Sequence, residues 1–240
     1  LPDGGGRGTL NAGGAAPRHR GAWAGGRRPA GFSWSNNPGS KMYLMEYPDA
    51  RINVPLDEVF VRTEEIDDYE IDPQFLAERV REFVDRMLTS GRYPRSGIPR
   101  DAVLAAAVYD FISTFEHDGL HTFIDSTGWD EVLNADIREG LRRLGFDGFS
   151  AIFADLEAFM ARIDPQSFED GDWWEDPVLE ALDARFSPFH PIQWYYDQLA
   201  AWIVGWPCLR SVPAAEYQAT INAIAKKNLV PPPDAPGLSA

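Results

Sequence analysis

The chain has 240 residues, 44% of them hydrophobic and 12% aromatic, enough to build a sizeable core and to exclude a wholly disordered chain. One cysteine, Cys208, excludes an intramolecular disulfide framework and a multi-cysteine zinc site, and points to a reducing, cytoplasmic setting. The net charge of −15 is uneven: six basic side chains against Asp3 give residues 1–41 a net of +5, so the rest carries −20. Such a surface repels nucleic acid and anionic membrane and attracts basic partners.

Residues 1–41 hold eleven of the 21 glycines and almost no aliphatic side chains. They cannot bury enough surface to offset the entropy of ordering, and we expect a disordered Gly/Arg-rich extension. The ordered domain is expected over 42–230, with 231–240 a frayed Pro-rich tail. The nearly apolar run at 199–209 is eleven residues long and contains a proline, too short for a spanning helix of about 20. No export signal is apparent at the amino terminus.

MYLMEY and RINVP flank a Pro-Asp turn at residues 48–49 and predict a short β-hairpin. Beyond Asp72 the apolar spacing is helical almost throughout. Asp72 and Pro73 open a helix with Phe75, Leu76, Val80, Phe83, Val84, Met87 and Leu88 inward, ended by Gly91. Pro99 starts a second helix, buried through Val103, Leu104, Ala107, Val108, Phe111, Ile112 and Phe115. A third runs from about Asp130, with Val132, Leu133, Ile137, Leu141 and Leu144 inward and Gly145 as its carboxyl-terminal cap. Asp147 is expected to cap the next, which buries Phe149, Ile152, Phe153, Leu156, Phe159 and Met160.

Asp176-Pro177 repeats the cap-then-proline signal before Val178, Leu179, Leu182 and Phe186. Pro191 opens an aromatic helix with Trp194, Tyr195, Leu199, Trp202 and Ile203. Pro213 opens the last, with Tyr217, Ile221 and Ile224 inward and Lys226 and Lys227 at its negative end. The expected architecture is all-α, one globular domain of seven or eight helices.

Chemistry could reside in three places. His117, His121 and Asp125 stand at i, i+4 and i+8, one face of a continuous helix, and are the candidate metal ligands for a metal-dependent hydrolase. Gly119 weakens that helix, and no second histidine-bearing helix completes a shell, so the same groups read as a helix junction and neither metal nor other cofactor is expected. Cys208, between Pro207 and Leu209, reads as packing. No phosphate-cradling glycine motif, GxSxG elbow or HExxH occurs, so no catalytic residues are assigned.

Carboxylates are concentrated in two runs. Residues 56–72 hold eight acidic side chains against Arg62, with Glu64, Glu65, Asp67 and Asp68 at the centre. Residues 164–183 hold eight and no basic residue, including Asp170, Asp172, Glu175 and Asp176. Each run alone is a solvated face; two runs together favour a partner-binding surface. Trp173 and Trp174 lie inside the second, and we expect one indole to pack inward as an anchor and the other to form an aromatic contact ringed by charge.

The stretch from Glu116 to Gly128 resembles a motif of a family of acidic all-helical bacterial proteins, a domain of unknown function named after a DNA-mimic protein. Glu116, Gly119, Phe123, Gly128 and Gly145 match it; Asp118, Leu120, Thr122 and Asp125 depart from its asparagine, glycine, glutamine and asparagine. LRRLGFDGFSAIFADLEAFM and DPVLEALDARF extend the resemblance, which covers residues 75–205. It implies a structural role for the motif: Gly119 turns the chain, Phe123 fills the junction, Gly128 closes a short helix and Glu116 accepts backbone hydrogen bonds. By analogy with the namesake, it implies a non-enzymatic protein that binds a basic protein, the DNA-binding face of a regulator or else a basic toxin neutralised as by an immunity or antitoxin protein.

Overall fold

The computed structural model describes residues 47–164, 171–185 and 191–229. The glycine-rich extension, most of the first expected hairpin strand, Phe186, Asp170 and the carboxyl-terminal tail lie outside the described residues.

Eight α-helices and a two-stranded sheet are found among the described residues. Strand β1 (Val59–Arg62) leads into the short α1 (Thr63–Asp67) and then α2 (Pro73–Thr89). The long α3 (Arg100–Thr127) is followed by α4 (Glu131–Leu144) and α5 (Asp147–Met160). After a 3-10 turn at Asp172–Glu175 come α6 (Pro177–Ala184), α7 (Ile192–Val204), β2 (Leu209–Val212) and α8 (Ala214–Leu229). No helix of the described residues is long and apolar enough to cross a membrane.

The first part of α3 is the centre of the molecule. Every residue from Ala102 to Ile112 is buried, as expected of a helix apolar on all sides. Helices α2 and α4 pack along it, α7 lies against α2, and α5 joins α4 and α6. Gly140 marks the close approach of α4 to α3, because a β-carbon there would meet Val108 Cγ2 at 2.5 Å and the Leu104 carbonyl at 3.2 Å.

Aromatic rings fill the far end of the core. Phe111 of α3 meets Phe153 of α5 edge-on at 5.1 Å and Phe123 at 5.2 Å. Phe149 extends the cluster to Tyr195 of α7 at 4.6 Å. Edge-to-face pairs of this kind add roughly 0.5–1.5 kcal/mol each to their area burial.

The β-structure differs from the expected hairpin. Arg51–Pro55 forms no strand; the paired strands are Val59–Arg62 and Leu209–Val212, in parallel, with Val59 opposite Leu209. Buried Asn228 is the reason the upstream segment is irregular. Its amide donates to the carbonyls of Arg51 (2.8 Å) and Gly91 (2.7 Å) and accepts from Asn53 N–H at 2.7 Å, so the backbone there is satisfied by a side chain instead of a ladder.

Asp130 caps α4 by accepting from Leu133 N–H at 2.7 Å, and Asp176 caps α6 by accepting from Val178 N–H at 2.8 Å. Gly145 ends α4 in the left-handed conformation, φ +67°. Asp147 does not cap α5 but stands in its first turn, after Phe146, where a carboxylate still favours the positive helix end. Asp72 stands before α2 without a side-chain capping bond. Phe75, Val132, Val178 and Trp194 were expected inward and are exposed.

Candidate partner-binding surfaces

The junction at residues 115–131 is a helix that stops and restarts. Gly119 has φ +82° and ψ 172°, a conformation open in practice only to glycine. A β-carbon there would also lie 3.2 Å from Asp183 Oδ2 and 3.3 Å from His121 Nδ1. The break frees the N–H of Leu120, which donates to Asp183 Oδ1 at 2.8 Å. Phe123 on the restarted turn is buried in the aromatic cluster, and Gly128 closes it with φ +61°.

Glu116 was expected to accept backbone hydrogen bonds. It instead accepts from the Tyr196 hydroxyl at 2.9 Å, tying α3 to α7. Burial, and the charge of Glu116 after it, push that hydroxyl well above its ordinary value.

The same break separates the candidate metal ligands. His117 is exposed, with Nδ1 2.8 Å from the Ser113 carbonyl, whereas His121 turns to Trp174, ring centroids 5.7 Å apart. Among the described residues no group of three or more His, Cys, Asp or Glu side chains is arranged to hold a metal ion. Burial raises the Cys208 thiol, which disfavours the thiolate a nucleophile needs.

In the second acidic run the two indoles divide. Trp173 is 3% exposed and part of the core, while Trp174 is 36% exposed. Trp173 is therefore an anchor and offers no contact face of its own. With ring centroids 5.8 Å apart, it holds Trp174 edge-on in the 3-10 turn that follows Gly171, φ +77°. Trp174 and His121 line a cleft of about 300 Å³ with Glu175, Asp176, Leu179, Glu180 and Asp183. Burial of the Asp183 carboxyl raises it, opposed by the Leu120 N–H and by His121. Asp170 and the side chain of Asp172 lie outside the described residues.

The first acidic run forms the corner between α1 and α2. Glu65 is largely consumed internally: Oε2 accepts from Arg62 N–H at 2.9 Å and Oε1 from Arg79 Nε at 2.6 Å. Both guanidinium groups lie over the ring of buried Tyr217, at 5.6 and 5.3 Å, so Glu65 belongs to an internal network and not to a free face. Glu64, Asp67, Asp68, Glu70 and Asp72 are exposed. Among them stand two bare apolar side chains, Ile71 at 82% and Phe75 at 57% exposure. A groove of about 360 Å³ here is lined by Arg62, Glu64, Glu65, Asp68, Asp72, Phe75, Arg79 and Ala214.

Phe75 was expected in the core, and Ile71, Glu180 and Asp183 lie within the acidic runs but were not singled out there. For Phe75 a signal existed. Its neighbours at helical spacing are Arg79, Glu82 and Arg86, all charged, whereas Leu76 leads to Val80, Phe83 and Met87.

The stretch from the turn before α3 to Trp206, two residues past α7, also matches a known family. No curated protein and no solved structure matches the chain. The family described as DMP19-like protein matches over residues 96–206, which contain the Gly119 junction and the Trp174 cleft, and this part of the chain is similar to that family.

Proposed function

We propose that this protein acts by binding a basic protein and covering the surface with which that partner takes up DNA. The observation that carries this reading is the α1–α2 corner, where exposed Asp67, Asp68, Glu70 and Asp72 surround exposed Ile71 and Phe75. Such an arrangement matches the anatomy of a protein interface, an apolar anchor inside a charged rim. Carboxylates alone would serve solubility; a phenylalanine and an isoleucine left in water among them cost solubility and gain free energy only when covered.

The electrostatics run in the same direction. Duplex DNA carries one negative charge per about 1.7 Å of axis, and a basic protein gains affinity by neutralising it. An acidic surface draws on the same lysines and arginines, so the two ligands compete. The name of the DMP19-like family accords with this reading.

The test is competition. A basic protein captured from the source cell at low salt is loaded with fluorescent duplex DNA, and the present protein is added. Displacement of DNA, weakening as salt rises, is the expected result. A ternary complex that keeps its DNA would overturn the proposal.

A further inference from the structure

We infer that the cleft lined by Trp174 and His121 is a receptor for a single arginine side chain of the basic partner. The inference rests on the reading above and adds to it the chemistry of one contact. The cleft holds about 300 Å³, room for one long side chain. Two aromatic rings stand in contact along it, centroids 5.7 Å apart and inclined at 56°, and Leu179 contributes an apolar surface. Glu175, Glu180 and Asp183 add carboxylates, and no lysine or arginine is among its described lining residues.

The four carboxylates are not equivalent. Asp176 Oδ1 is used by Val178 N–H and Asp183 Oδ1 by Leu120 N–H, so those two side chains are fixed in place. Asp183 Oδ2 and exposed Glu175 and Glu180 remain to meet a cation. Burial disfavours the charge on Asp183, and an incoming cation relieves that penalty.

Guanidinium suits this site better than ammonium. It is planar, weakly hydrated and able to stack on an indole while its edge N–H groups reach carboxylates. Lysine keeps its hydration shell and presents a point charge. The indole is also preorganised, because buried Trp173 fixes the turn that carries it.

The test compares hexa-arginine with hexa-lysine binding to the full chain by calorimetry at low salt. Hexa-arginine is expected to bind about two- to fivefold more tightly, the range of an exposed cation–π contact. Trp174→Ala should erase the preference, Trp174→Phe should retain part of it, and thermal melts should show both variants folded. Asp67→Asn with Asp68→Asn should weaken both peptides in the same proportion and leave the preference intact. Equal affinity of the wild type for the two peptides, or a preference that survives Trp174→Ala, overturns the receptor while leaving the basic-partner reading standing. Failure of both peptides to bind at low salt sinks both.

Discussion

Asp183 of α6 accepts the N–H of Leu120 at 2.8 Å and thereby caps a helix that begins 63 residues earlier in the chain. The contact is needed because Gly119 interrupts α3 in a partly buried place, where an unpaired N–H is costly. Asp183→Ala should cost about 0.5–2 kcal/mol, as for other lost caps, and Asp183→Asn less because its amide oxygen can still accept. Gly119→Ala should cost about 1–3 kcal/mol, since alanine must enter a backbone region reserved for glycine. Urea unfolding of the three variants measures these differences. A neutral Gly119→Ala would show that the helix can run straight through the junction.

Phe123 and the adjacent pair Trp173 and Trp174 give a second, sharper contrast. Phe123→Ala opens a cavity beside Phe111 and Phe153 and should cost about 3–5 kcal/mol. Trp173→Ala should fall in the same range of about 3–5 kcal/mol, because its indole is equally part of the core. Trp174→Ala should cost less than Trp173→Ala, because a third of its surface is already in water. The order of the three midpoints in one denaturant series checks the assignment of inner and outer indole.

Asp110 predicts a pH dependence of stability. It is buried beside the Arg81 guanidinium, with Nε 3.0 Å from Oδ1. Burial pushes its carboxyl up to about 7; Arg81 and Arg95 oppose the rise and Asp85 adds to it. Unfolded, an aspartate titrates near 3.9. Between these values the folded state holds the proton and the unfolded state does not. The contribution is therefore complete below about pH 4 and lost as pH rises through about 7. Asp110→Asn cannot titrate, so its stability relative to the wild type should improve with pH by up to about 1.4 kcal/mol per unit across that window. Parallel urea titrations from pH 4 to 8 read the difference. A constant offset would mean that Asp110 stays ionised throughout.

Much of the fold was legible because it rests on local signals. Leu76 to Leu88 and Phe149 to Met160 repeat at helical spacing, and Asp130, Asp176, Pro177 and Gly145 mark helix ends with their own backbone chemistry. The sheet was not legible, since Val59 and Val61 sit inside an acidic run and pair with Leu209 and Ser211, a partner strand beyond α7 that no local pattern announces. Asn228 was missed for the same reason: its four backbone partners come from two distant segments. In the candidate surfaces, the acidic runs and the division of the indoles could be read from composition. Which carboxylate oxygens are used internally could not, because those of Glu65 and Oδ1 of Asp183 are held by Arg79 and Leu120, residues brought near only by tertiary packing.

The α1–α2 corner separates a binding face from a soluble one. Ile71→Ser and Phe75→Ser remove exposed apolar groups that support no core, so folding should change by less than about 0.5 kcal/mol. If these side chains are interface anchors, each should weaken association with the captured basic protein by at least 1 kcal/mol, expressed as faster dissociation. Amides at Asp67, Asp68 and Glu70 should act differently. They should slow association and flatten its salt dependence while leaving dissociation nearly unchanged, because rim charges steer encounter more than they hold the complex. Asp72 is left out of that variant, as its position directly before Pro73 couples it to the start of α2. Surface plasmon resonance at three salt concentrations resolves both rates. Unchanged kinetics in the serine and the amide variants alike would remove this corner from the interface and leave the Trp174 cleft as the remaining contact.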